Sequence, residues 1–142
     1  METSYRKVLR QIYKSNALQT HELLGQIHRT HNDHRDFYPM VALLNAGYVG
    51  FTGGVPPENT KFRDTIIAHT LQCYSQGPGA QSYGMVEVNG SGDADGLYFY
   101  IGPKGIEYFE TRRSDNKKLL ISACLSLLAG ITVAFVSIYL KR

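Results

Sequence analysis

The sequence predicts an α+β domain over residues 1–113, a short juxtamembrane linker at 114–118 and one transmembrane helix at 119–140. Three observations carry this. Residues 119–140 form an uncharged apolar run, apolar residues recur at helical spacing through the first 46 residues, and two strand-like runs flank a glycine-rich loop near residue 90.

The helical spacing begins with Tyr5, Val8, Leu9, Ile12 and Tyr13, while Arg6, Lys7, Arg10 and Lys14 occupy the remaining faces. This predicts an amphipathic first helix with a basic outer side. After the connection SNALQ, Thr20 is the expected N-cap of a second helix that buries Leu23, Leu24 and Ile27 and ends near Thr30. Glu22 in its first turn favours the helix dipole. Asn32, Asp33 and Asp36 offer caps for a third helix, which accepts Pro39 in its first turn, buries Met40, Val41, Leu43 and Leu44, and stops at Gly47.

Tyr48–Phe51 reads as a short strand closed by the turn-rich TGGVPPEN. From Thr60 the pattern is helical again, with Phe62, Ile66, His69 and Cys73 on one face until GPGAQ breaks it. Tyr83–Val88 and Leu97–Ile101, joined by NGSGDADG, read as an antiparallel hairpin. Gly102 and Pro103 then open a short helix through Glu110, and SDN at 114–116 punctuates before the apolar run.

That run, LLISACLSLLAGITVAFVSIYL, would span about 33 Å as a helix against a hydrocarbon core of about 30 Å. Its serines and threonine return their hydroxyls to the preceding turn, and Tyr139 stands where an interfacial aromatic belongs. Arg112, Arg113, Lys117 and Lys118 precede it and only Lys141 and Arg142 follow, so the charge bias places the N-terminal domain in the cytoplasm.

Composition narrows the classes of function. With 43% hydrophobic residues, 10 Tyr and 6 Phe, the chain has core material and is not a disordered segment. Residues 1–118 hold thirteen basic against twelve acidic side chains, a net of +1, which is poor provision for neutralising phosphates. Cys73 lies in the domain and Cys124 in the apolar run, so both are expected as free thiols in a reducing compartment.

Two stretches carry a likeness to a known family. LLNAGYV at 43–49 resembles the end of the third helix and first wing strand of bacterial winged-helix regulators. YFYIGPKGIEYFE at 98–110 resembles their second wing strand running into a T-P-K-G helix start. The likeness covers residues 5–112 and implies a winged helix-turn-helix, with three helices and a β-hairpin wing, in a chain of bacterial or phage origin. Two departures stand out: Gly102 replaces the usual Thr or Ser cap, and residues 52–82 form an insert where the family has a short link.

In DNA-binding members the third helix enters the major groove. The matching recognition positions here are Asn32, His34, Arg35, Tyr38 and Asn45, a face with one Arg and one His beside Asp33 and Asp36. The first helix, through Arg6, Lys7, Arg10 and Lys14, is more basic, and such a run is usually a solvated face. The resemblance therefore implies a membrane-anchored regulatory module that binds an unknown protein partner at the cytoplasmic face of the membrane. The alternatives are a membrane-bound DNA-binding transcription regulator and a small membrane-acting protein of the toxin, holin or exclusion type. A homodimer fits any of these.

Other constellations are expected to be structural. His28, His31 and His34 straddle a helix boundary and need not converge on a metal. His69 and Cys73 are half a zinc site at most, and core packing is the expected role. In NGSGDADG the twelfth position counted from Ser91 is Gly102, where a calcium loop has Glu, and GPKG lacks the spacing of a phosphate loop. No nucleophile or acid–base motif is present, so neither an enzyme nor a cofactor is expected.

Overall fold

The computed structural model describes residues 4–77, 79, 81–88 and 96–140, the last seven by backbone alone. By compactness the chain divides into two units, Met1–Ile106 and Glu107–Arg142.

The first unit opens with helix α1 (Ser4–Ser15), strand β1 (Ala17–Gln19) and helix α2 (Thr20–Gln26). A 3-10 turn (His34–Phe37) then leads directly into helix α3 (Tyr38–Asn45) and strand β2 (Val49–Phe51). Helix α4 (Arg63–Ser75) follows within residues 52–82, and a ribbon of strands β3 (Gln81–Tyr83) and β4 (Val86–Val88), lying mostly beyond them, precedes strand β5 (Tyr98–Ile101). Helix α5 (Pro103–Leu140) begins at the end of this unit and continues through the second. The result is a mixed α+β architecture with five α-helices and small antiparallel sheets among the described residues.

Strand β5 is central in a three-stranded sheet of order β1-β5-β2, antiparallel to both neighbours. Alternation along the strands sends Leu18 and Phe99 inward, with Phe51 stacked on Phe99 at 4.5 Å between ring centroids. Val8, Leu9 and Ile12 of α1, Leu23 and Leu24 of α2, Phe37, and Met40 and Val41 of α3 complete the core on that side. The amphipathic reading of α1 holds, with Val8, Leu9 and Ile12 buried and Lys7, Arg10 and Lys14 exposed.

Gly47 stops α3 as expected. At φ +76° it donates its N–H to Leu44 O at 3.0 Å, and Tyr48 N–H returns to Leu43 O at 3.0 Å, the paired bonds of a Schellman end. Gly102 and Gly105 let the start of α5 approach this turn. Gly102 N–H donates to Tyr48 O at 2.9 Å, and a Cβ at Gly102 would collide with the Gly47 carbonyl, one at Gly105 with that of Tyr48. The glycine in place of a hydroxyl cap thus has a packing reason.

Several expectations are corrected. SNALQ contains a strand, and Thr20 is not a cap: its hydroxyl donates to Leu97 O at 2.8 Å and its N–H to the same oxygen at 3.0 Å, tying α2 to the entry of β5. Helix α2 ends at Gln26, one turn before Thr30, because the carboxylate of Asp36 captures the N–H groups that follow. The hairpin of 83–88 with 97–101 does not form. Gly84, at φ +60°, folds 81–88 back on itself, and β5 takes β1 and β2 as partners instead. Phe62 is not on the buried face of α4; it precedes the helix at φ +58° and is 61% exposed, while Ile67, Ala68 and Leu71 form the buried stripe with His69 and Cys73. The loop 89–95 and the flanking Lys141 and Arg142 lie outside the described residues, as does the side chain of Tyr139.

In the second unit the short closing helix and the break at SDN give way to continuous helix. Ser114, Asp115 and Asn116 lie within α5, where Lys118 pairs with Asp115 at 3.8 Å. The helix is long and apolar enough to cross a membrane. Every described side chain from Leu119 to Val133 is exposed, with Leu119 at 69% and Ile131 at 50%.

Candidate functional site

The five recognition positions fall on the segment from Asn32 to α3, and a buried carboxylate organises its entry. Asp36 accepts the N–H of Thr30 at 3.1 Å, of His31 at 2.9 Å and of Asn32 at 2.8 Å, with Arg29 Nε 3.6 Å away. Burial alone would push its pKa up. The N–H groups of His31, Thr30 and Asn32, with the charge of His31, outweigh that and hold the carboxyl below the ordinary range. Tyr5 of α1 donates its hydroxyl to the Asp36 carbonyl oxygen, and its own pKa is pushed up to about 12 by burial first and by the Asp36 charge second. Asn32 takes φ +58° in this loop, which leaves its N–H aimed at Asp36.

Arg35 is not a free cation. Asp33 caps the 3-10 turn by accepting Arg35 N–H at 2.9 Å and grips the guanidinium through Nε at 3.0 Å and Nη2 at 2.7 Å. The Arg35 hydrogen bond pulls the Asp33 carboxyl down to about 2. The one arginine on the recognition face is neutralised by its neighbour.

Helix α4 and the ribbon engage the other three positions. Tyr38 Oη lies 3.3 Å from Thr65 Oγ1 of α4. Asn45 donates to Asp64 Oδ1 at 2.8 Å and accepts from Arg63. His34 Nδ1 lies 3.1 Å from Tyr83 Oη of the ribbon, and its ring meets that of His69 edge-on at 4.5 Å. Tyr83 in turn packs edge-on against His69 at 5.1 Å. His69 is 8% exposed, its Nδ1 has no hydrogen-bond partner among the described residues, and a Cβ at Gly84 would collide with its ring. Burial, and then the charge of His34, hold the His69 pKa below the ordinary value.

Sequence reasoning placed these positions on one segment but missed Asp64, Thr65, His69 and Tyr83 as their partners. No local signal marks them, since they stand 19–49 residues from the groups they meet. The basic positions are dispersed on α1, with Lys7, Arg10 and Lys14 exposed and Arg6 half-buried. Among the described residues no group of three or more His, Cys, Asp or Glu is placed to hold a metal. A shallow groove elsewhere, lined by His21, Leu24, Arg29, Tyr74 and Ser75, has its guanidinium committed to Ser75 and Gln72. No family model, curated protein or solved structure matches the chain.

Proposed function

We propose that the chain is a membrane-tethered winged-helix module that works through protein contacts instead of reading DNA. The order of helices and the antiparallel pairing of β2 with β5 support the winged-helix reading, because these two strands flank the insert as the arms of a wing would. The exposed apolar length of α5 supports the tether. On this reading the arginines and lysines before the apolar run keep the domain on the cytoplasmic side.

The observation that carries the choice of partner is the state of the third helix. His34, Tyr38 and Asn45 are taken by α4 and the ribbon, and Arg35 by Asp33, so the groups that would read bases are already satisfied within the chain. The net charge of +1 over residues 1–118 adds little attraction for phosphate.

A salt titration of duplex DNA binding by the full chain in lipid nanodiscs tests this. The expected result is weak, sequence-independent binding at physiological salt. Tight binding whose logarithm falls steeply with the logarithm of salt concentration, and which is lost in Arg35→Ala, would establish a DNA reader instead.

A further inference from the structure

We propose that the β3–β4 ribbon is a pH-released strap over the start of the third helix, held shut while the buried His69 ring beneath it is neutral. The inference concerns the fold itself and stands whether or not the partner is a protein.

The ribbon is built to be loose. None of its residues 81–88 is fully buried, and Ser82, Gly84, Met85 and Glu87 are exposed. Segments with so little buried surface open locally at low cost. What it lies on is the ring cluster: Tyr83 bonds to His34 and packs on His69, Gly84 sits against the His69 ring, and Val86 O receives the Cys73 thiol at 3.9 Å.

Among the described residues no carboxylate lies against the His69 ring: Asp33 faces His34 and Arg35, Asp36 is bound by the loop amides, and Asp64 by Asn45. Glu87 pairs across the ribbon with Ser82, on the face opposite Tyr83 and Val86. The remaining titratable neighbours are Tyr38, Tyr83, Arg35 and the buried Cys73 thiol, none of which carries negative charge near neutral pH.

A proton on His69 therefore places a buried cation against the His34 ring, with no carboxylate beside it among the described residues. With the strap open the His69 ring reaches water. His69 is harder to protonate when covered, so the closed form is favoured above the ordinary histidine range and loses ground as pH falls through it.

Hydrogen exchange of the full chain in nanodiscs, corrected for intrinsic rate, reads the opening. Between pH 7.5 and 5.5, protection over 81–88 is expected to fall about tenfold for one linked proton, while peptides from α1 and α4 hold theirs. In His69→Leu, and in the polar His69→Gln, that fall shrinks at least threefold. Unchanged protection in the native chain, a full tenfold fall in both variants, or a parallel loss in α1 would overturn the proposal.

Discussion

Asp36 shows how much one residue decides here. Three backbone N–H groups, from Thr30, His31 and Asn32, converge on one carboxylate whose side chain is 3% exposed, so its removal strands donors that nothing nearby replaces. Asp36→Ala is expected to lower unfolding free energy by about 2–3 kcal/mol at neutral pH, and Asp36→Asn, which keeps one oxygen, by less. The pH dependence follows from linkage. The folded pKa lies below the unfolded one, so the stabilisation is full above about pH 5 and disappears as pH falls through the folded value. Urea midpoints of the full chain in detergent micelles, followed by tyrosine circular dichroism between pH 7 and 2, should fall more steeply for the native chain than for Asp36→Asn. Equal slopes would mean the carboxylate's charge contributes nothing.

Among the elements, the junction of α3, β2 and α5 depends on glycines that serve different ends. Gly102 is the point where one backbone touches another, and Gly102→Ala is expected to cost about 1–3 kcal/mol because the Gly47 carbonyl has nowhere to go. Gly25 faces open space inside α2, so Gly25→Ala should raise stability by about 0.5–1 kcal/mol. Thermal midpoints moving in opposite directions for this pair would bear out the packing; both falling would place Gly25 in an unseen contact.

These elements also show what the sequence discloses. The stripe of α1, Met40 and Val41 of α3 and the stop at Gly47 were legible because their causes are local, helical spacing and a turn that needs positive φ, whereas Leu43 and Leu44, expected inside, are half-buried. Strand β1 was not, since three residues carry too little alternation to register, and its pairing with β5 spans some eighty positions. The false hairpin has the same origin. Two apolar runs beside a glycine-rich loop predict each other as partners, and only the competing edges of β1 and β2 decide otherwise. The candidate site was half visible, as Asn32, His34, Arg35, Tyr38 and Asn45 could be placed on one segment. That α4 and the ribbon would cover it depends on the buried stripe Ile67, Ala68 and Leu71, which the spacing of Phe62, Ile66, His69 and Cys73 did not disclose, although His69 and Cys73 are buried beside it.

At the scale of the whole chain, a bilayer is a solvent in which the exposed apolar side chains of α5 would be inexpensive. Leu119, Leu120, Leu125, Leu127, Leu128 and Ile131 are each at least half exposed, and every described side chain from 119 to 133 is exposed. In water that pattern would drive aggregation; in hydrocarbon the same surface is at home, and the backbone bonds are all satisfied within the helix. The full chain is therefore expected to stay with membranes through alkaline carbonate extraction. Replacing Leu125 and Leu128, near the middle of the run, by arginine adds about 3 kcal/mol each to the insertion free energy and should move most of the protein to the soluble or aggregated fraction. Arg substitutions at Ser114 and Asn116, within the same helix but before the apolar run, should leave extraction unchanged. If the native chain washes off, or if the central arginines have no effect, the helix is not a span, and its apolar surface must be covered by another protein instead of lipid.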